Sequence, residues 1–221
     1  PAGRYHWHIE HCVVEILDSP LPGTDPELTK VVERQIKKGK GTIHVSTRAR
    51  GIEARDGKQL LVAEAKDGKR LEIDSEVILV SIGFRPNSDR VGREKAGLEV
   101  DATGHFPVNA HRQTNVPWVY AIGDVAGLPW LAHKASKEGQ VAAEHAAGKP
   151  SVYDVRALPA AIFTEPEIAT VGLQEPQARA AGREIRVGKF PFSALGRALS
   201  VRAAEGFAKV SADARTDEAR G

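Results

Sequence analysis

The 221-residue sequence contains no methionine and a single cysteine, Cys12. One cysteine excludes an intrachain disulfide, and such scarcity is typical of a cytoplasmic protein. The lack of methionine, even at position 1, predicts that the chain is an internal piece of a longer polypeptide. Cys12 is itself predicted to be a small, buried residue within a strand.

Long apolar runs and a strong excess of one charge are also absent. No apolar stretch approaches the roughly 20 residues that a transmembrane helix needs, and the first residues, PAGRYHWHIEH, resemble neither a signal peptide nor a transit peptide. The formal net charge is +2, with acidic and basic residues interleaved. We therefore expect neither a membrane nor a nucleic-acid partner.

A metal-binding pattern is missing as well. His6, His8 and His11 stand close to Cys12, but their spacing matches no structural zinc motif. We therefore expect no metal site.

The residues that are present predict an α/β fold. HCVVEIL (11–17) indicates a short buried strand, and Asp25 with Pro26 indicates the start of a helix that ends at Gly39. Asp56-Gly57 and Asp67-Gly68 mark turns between antiparallel strands. EVILVSIG (76–83) is apolar throughout, which predicts a strand covered on both faces.

The second half of the chain continues this alternation. WVYAIGD (118–124) predicts another buried strand, and a helix is expected from Leu131 to Ala147. Short strands with one helix near 174–181 are expected after residue 151. Lys134, Lys137 and the cluster 37–40 are predicted to be solvated, whereas Trp118 and Trp130 are expected to pack in a core or an interface.

Gly123 and Asp124 are the strongest candidates for a ligand site. A carboxylate at the carboxyl end of a strand faces the crevice in which open α/β sheets hold ligands. It can accept hydrogen bonds from sugar hydroxyls, while Gly123 allows close backbone approach and the following helix offers free amides. An ordinary strand–helix unit with an N-cap aspartate explains the same residues, so both interpretations stay open.

Five separated motifs occur in an order and spacing that resemble the pyridine nucleotide–disulfide oxidoreductases, over residues 12–218. They are VVEILDSPLPGTDPEL, VILVSIGFRPN, TNVPWVYAIGDVAGLPWLAHKASKEGQVAAE, LPAAIFTEPEIATVGLQE, and SALGRALS with EGFAKVSADARTD. LAHKASKEG is most similar to the dihydrolipoyl dehydrogenase branch. The resemblance implies incomplete Rossmann-like domains for NAD (1–83) and FAD (84–150), followed by part of a dimer-interface domain (151–221).

The same resemblance implies roles for single residues. Those expected to contact FAD are Gly123 and Asp124, with backbone from Leu131, Ala132 and His133. Those expected to contact NAD are Glu15 at the adenosine ribose, Ala49 at the adenine, and Ile82, Gly83 and Phe84 through the backbone. A carboxylate at position 15 would repel a 2′-phosphate and so favour NAD over NADP.

The implied reaction is the oxidation of a dihydrolipoyl group, with electrons passing through a disulfide and FAD to NAD. The implied partners are a lipoyl domain of a 2-oxoacid dehydrogenase complex and a second copy of the enzyme. This sequence contains no cysteine pair, no Gly-x-Gly-x-x-Gly and no His–Glu base, so no catalytic residue is assigned and the chain alone is expected to be inactive. A sibling reductase of the glutathione or mercuric type, or a non-catalytic nucleotide-binding remnant, is the alternative.

Overall fold

The structure is a computed structural model that describes residues 10–221. These residues form two compact units: the first combines residues 10–80 with Ala161–Gly221, and the second is Ser81–Ala160. Within the described residues, no helix has the length and apolarity needed to cross a bilayer.

The first unit begins with a strand–helix–strand element. β1 (Cys12–Val14) and β2 (Thr42–His44) pair in parallel, and α1 (Pro26–Lys38) connects them. The Asp25 carboxylate accepts a 2.9 Å hydrogen bond from the amide of Glu27, with Pro26 at the first helical position. These contacts confirm the predicted helix start, and Gly39 ends the helix as expected.

A three-stranded antiparallel sheet follows. It consists of β3 (Thr47–Arg55), β4 (Lys58–Ala65) and β5 (Arg70–Ser75), in that spatial order. The predicted turns at Asp56-Gly57 and Asp67-Gly68 are both confirmed, since each joins two paired strands. Asp56, Gly57 and Gly68 all adopt positive φ, which such turns require.

The rest of the first unit comes from the carboxyl-terminal part of the chain. β6 (Ala160–Ile162) pairs with β7 (Ile168–Thr170), and β8 (Ile185–Pro191) pairs antiparallel with β9 (Phe207–Asp213). The predicted helix near 174–181 is α3 (Glu175–Ala180). A short helix, α4 (Gly196–Ser200), was not predicted.

One largely buried lysine joins three elements of this unit. The ammonium of Lys209 on β9 lies 2.7 Å from Asp25, 2.7 Å from Glu27 and 2.6 Å from Glu175, and its side chain is only 10% exposed. Burial alone lowers the pKa of this ammonium, but the hydrogen bonds to Asp25, Glu175 and Glu27 outweigh it, so the net pKa is raised. We call these four residues the Lys209 cluster.

The Lys209 cluster predicts a loss of stability in acid. Hydrogen bonds from Lys189 and Lys209 lower the pKa of Glu27 from 4.5 to about 2, and Lys209 followed by Arg179 lowers that of Glu175. A lowered carboxyl pKa contributes stability above the ordinary value and loses it as the pH falls towards the folded-state value. We expect stability in urea to fall between about pH 4.5 and pH 2.

Urea unfolding curves recorded at each pH by circular dichroism test this expectation. The double variant Glu27→Gln/Glu175→Gln should show a smaller pH dependence, with a remainder from other carboxyls of lowered pKa such as Asp213, whose pKa is lowered by hydrogen bonds from the amides of Arg215 and Thr216. Glu184→Gln is the matched control, because Glu184 is exposed and its carboxylate has no contact among the described residues. Equal slopes in the wild type and the double variant would contradict the assignment.

The second unit is built around α2 (Ala132–Ala146), which confirms the predicted helix. Its apolar core is small and consists of Phe106, Ala121, Val141 and Ala142. The segment 118–124 was predicted to be a buried strand, but this is wrong. Only Tyr120 forms a bridge, to Gln113, and a single 3-10 turn over Gly123–Ala126 follows.

The prediction of a covered strand at 76–83 is also wrong. These residues follow β5 without forming a strand, and their large apolar side chains face solvent. Val77, Leu79, Val80 and Ile82 are 82%, 89%, 63% and 92% exposed, and Phe84 is 78% exposed. An apolar sequence predicts burial only where neighbouring strands exist, and none pairs with this run within residues 10–221.

Cys12 was expected to be buried, but it is exposed. It lies in β1, which pairs only with β2 among residues 10–221. A sheet this narrow leaves much of each strand's surface uncovered, so the residue type alone predicted burial incorrectly.

Candidate functional site

The loop that follows Tyr120 presents Asp124 to solvent. Gly123–Ala126 form one 3-10 turn and Gly127 closes the loop with φ +111°. Gly123 has φ +71°, and an added Cβ would lie 3.2 Å from the Cβ of Ala135, so glycine is favoured here for two reasons. Among the described residues, no donor contacts the Asp124 carboxylate. The carboxylate is therefore open to a ligand that carries hydroxyl groups.

Two neighbouring segments hold this loop in place. The amide of Phe106 donates to the carbonyl of Val125 at 2.9 Å, and the amide of Ala121 donates to the carbonyl of Arg112 at 3.0 Å. Because Phe106 and Ala121 are buried, the loop rests on the core of the second unit.

Three charged side chains lie next to the loop: Lys134 and Glu138 of α2 are buried, and the side chain of Arg112 is 14% exposed. Glu138 is fully buried and lies 2.9 Å from the guanidinium of Arg112 and 3.3 Å from the ammonium of Lys134. Its other contact is with the loop, because the amide of Gly123 donates to it at 2.7 Å. We call Arg112, Lys134 and Glu138 the buried triad.

Lys134 completes the attachment from the same helix. Its ammonium donates to the carbonyls of Gly123 at 3.1 Å and Gly127 at 2.8 Å, so both ends of the loop are bound to α2. Lys134 was predicted to be solvated, but this is wrong: it is 4% exposed. Lys137 is exposed as predicted, since it lies on another face of the helix.

Sequence reasoning missed the buried triad although a signal was present. Lys134 and Glu138 share the face of α2 that carries Val141 and Ala142, at positions i, i+4, i+7 and i+8. A charged pair of opposite sign inside the apolar stripe of a helix indicates a buried ion pair. Arg112 also makes a cation–π contact, since its guanidinium carbon lies 4.6 Å from the centroid of the Tyr153 ring.

The start of α2 lies directly after the loop. Leu131 is the N-cap residue, and no side chain among the described residues caps this end. The amides of the first turn have no acceptor within the helix, which makes this end suited to electron-rich oxygen. Ala132 and His133 are exposed, and the Nε2–H of His133 donates to the carbonyl of Pro159 at 2.7 Å.

The two tryptophans near the loop differ in their surroundings. Trp130 contacts the edge of Phe84, with ring centroids 5.4 Å apart, and stacks on His105 at 6.1 Å, so it packs as predicted. Trp118 is 81% exposed and does not belong to a core of the described chain.

Residues predicted to contact NAD lie in both units. Glu15 follows β1, and one of its carboxylate oxygens accepts a 2.8 Å hydrogen bond from the amide of Leu17. Ala49 is exposed on β3 in the same unit. Ile82, Gly83 and Phe84 are exposed in the second unit, and Gly83 has φ +120°. A joint NAD site therefore stays a prediction.

The residues discussed as metal ligands are only partly described. His6 and His8 lie outside the described residues, and Cys12 is exposed. Elsewhere, carboxylate oxygens of Asp25, Glu27 and Glu175 lie within 4.8 Å of one another. The Lys209 ammonium already lies among these oxygens, which explains their proximity without a metal ion.

Comparison with known families assigns both parts of the sequence. Residues 6–139 match the family described as pyridine nucleotide-disulphide oxidoreductase, and residues 158–221 match the dimerisation domain of that family.

Curated relatives cover almost the whole chain. A dihydrolipoyl dehydrogenase from Thermus scotoductus is 46% identical over 209 residues, which are 94% of this chain and 45% of the relative. The dihydrolipoyl dehydrogenase from Haloferax volcanii is 44% identical, over 91% of this chain and 42% of that relative. The one from Bacillus subtilis is 42% identical, over 91% of this chain and 43% of that relative. The chain thus spans less than half the length of the relatives it matches.

Two solved structures are similar to this chain in fold. LpdA from Mycobacterium tuberculosis superposes with a TM-score of 0.84 at 28% identity, over 96% of this chain and 46% of that protein. The HOCl-induced flavoprotein disulfide reductase RclA from Escherichia coli gives a TM-score of 0.85 at 21% identity, over 96% and 48%. The second likeness supports the fold alone.

Proposed function

This chain belongs to the pyridine nucleotide–disulphide oxidoreductase family, and on that premise we propose that it forms the FAD- and NAD-contacting part of a dihydrolipoyl dehydrogenase. The proposed reaction oxidises a dihydrolipoyl group and reduces NAD. Identities of 42–46% to three dihydrolipoyl dehydrogenases support this choice over a sibling reductase.

The Asp124 loop is the observation that carries the proposal. Its carboxylate is exposed and has no contact among the described residues, and its backbone is held by Glu138 and Lys134. The uncapped start of α2 follows within eight residues. Such a set suits a ligand that combines sugar hydroxyls with electron-rich oxygen, which a flavin dinucleotide does. We therefore assign FAD to Gly123, Asp124, Leu131, Ala132 and His133.

The chain's residues bind and orient in this proposal. When bound, FAD carries the two electrons between a dithiol and NAD. Asp124 accepts hydrogen bonds from the dinucleotide's hydroxyls, and the first amides of α2 stabilise negative charge at the loop. No described residue is assigned proton transfer or nucleophilic attack, so the dithiol and its base must come from elsewhere in the enzyme.

Glu15 is proposed to bind the adenosine ribose of NAD. The bond from Leu17 fixes its carboxylate at the end of β1, and the second oxygen has no contact among the described residues. A fixed, partly free carboxylate at a strand end is the arrangement that binds ribose hydroxyls in dinucleotide sites. Ala49, Ile82, Gly83 and Phe84 complete the proposed NAD contacts.

The domain and partner assignments belong to the same proposal. Residues 1–83 would bind NAD, residues 84–150 would bind FAD, and residues 151–221 would form part of the dimer interface. The match of residues 158–221 to the family's dimerisation domain supports a homodimer. A lipoyl domain of a 2-oxoacid dehydrogenase complex is the proposed protein substrate, and the cytoplasm is the proposed location.

Asp124→Asn tests the proposal. Loss of the charge-assisted bonds should weaken FAD binding about tenfold to a hundredfold. The experiment uses the full polypeptide that carries this sequence. FAD affinity is measured from the flavin retained per polypeptide and from FAD titrations followed by flavin fluorescence. Asp154→Asn is the control, because Asp154 is exposed in the same unit without a described contact. Equal FAD affinity in Asp124→Asn and the wild type would reject the assignment.

A further inference from the structure

The buried triad has an excess of one positive charge. Arg112 and Lys134 each carry one positive charge, and Glu138 supplies one negative charge. Their side chains are 14%, 5% and 0% exposed, so solvent screens this excess weakly. No other carboxylate contacts the triad among the described residues.

The excess charge is directed at the loop. Lys134 has three contacts, to Glu138, to the Gly123 carbonyl and to the Gly127 carbonyl. The guanidinium of Arg112 contacts Glu138 and the ring of Tyr153, and it has no contact with the loop among the described residues. Lys134 is thus the cation that lies beneath the loop, while Glu138 offsets Arg112 and holds the amide of Gly123.

We propose that the buried triad sets the relative affinity of the Asp124 loop for reduced and oxidised flavin. Lys134 raises the affinity for the reduced, electron-rich flavin, and Glu138 lowers it. This inference rests on the proposed function, since it takes FAD as the ligand of the loop. Lys134 and Glu138 act through the loop as positioning residues, and their fixed charges need no rearrangement when the ligand gains electrons.

The proposal requires opposite effects from two neighbouring variants. Lys134→Met should lower the affinity for reduced relative to oxidised flavin by on the order of tenfold, and Glu138→Gln should raise it by a similar factor. For a two-electron couple, tenfold corresponds to a shift of about 30 mV in the midpoint potential. Loss of packing alone gives no reason for shifts of opposite sign.

The measurement is the flavin midpoint potential, read from absorbance spectra of the flavin-loaded polypeptide during reductive titration. Lys134→Arg should restore the wild-type potential because it keeps the charge, and it also serves if Lys134→Met does not fold. Lys137→Met is the control, since Lys137 is an exposed lysine on the same helix. It should change the ratio of the affinities for reduced and oxidised flavin less than threefold.

The outcomes distinguish a failure of this inference from a failure of the proposed function. Shifts of opposite sign with rescue by Lys134→Arg support the inference. Flavin retained with equal potentials in all variants, or shifts of the same sign, overturns the inference and leaves the proposed function standing. A wild-type polypeptide that retains no flavin overturns both.

Discussion

Replacing Glu138 by alanine is expected to lower the free energy of unfolding of the second unit by about 4 kcal/mol. The reason is not the loss of attraction as such. The substitution leaves Arg112 and Lys134 buried without their carboxylate and removes the acceptor of the Gly123 amide. Uncompensated buried charge is among the most destabilising changes that a single substitution makes.

Tryptophan fluorescence during urea unfolding measures this effect in a Trp7→Phe background, because the other two tryptophans, Trp118 and Trp130, both lie in the second unit. Glu94→Ala provides the control. Glu94 pairs with Arg93 at 3.2 Å, but its side chain is 68% exposed, so a cost below about 1 kcal/mol is expected. If the two variants unfolded at the same urea concentration, Glu138 would not be the buried partner that the structure describes.

Replacing Lys209 by methionine is expected to cost the first unit about 3 kcal/mol. Methionine roughly matches the length of the side chain, but Asp25 and Glu175 then face each other with no ammonium between them. The value is placed at the lower end of the range because Glu27 is 44% exposed and can turn to water.

Amide hydrogen exchange along β9 is a suitable probe, since β9 carries Lys209 and pairs with β8. Lys38→Met is the matched control, because Lys38 forms a 3.1 Å pair with Glu205 but is 71% exposed. The control should change exchange little. Faster exchange in Lys38→Met than in Lys209→Met would contradict the role of the Lys209 cluster.

Local signals predicted the elements that depend on local chemistry. Asp25 and Gly39 set the ends of α1, and the Asp-Gly turns set the β3–β4–β5 sheet, because caps and turns are decided by residues a few positions apart. Asp124 was predicted to end a buried strand, but it lies on a 3-10 turn. That geometry depends on contacts from Glu138 and Lys134 of α2, which local signals do not include.

The failures have one physical cause, which is dependence on distant partners. The run at 76–83 has the composition of a central strand, yet composition does not supply the neighbouring strands. Lys134 was predicted to be solvated because lysine usually is, but Glu138 and two carbonyls lie within its reach only once α2 and the loop pack together.

The exposed run at 77–84 has an energetic consequence. Burying one large apolar side chain stabilises a fold by about 1.5–3 kcal/mol. Burying the five exposed side chains of this run would therefore contribute on the order of 10 kcal/mol. That is comparable with the entire stability of an ordinary domain. Because this driving force grows on warming from low temperature, a concentrated sample of the bare chain should turn turbid when heated gently and clear again on ice.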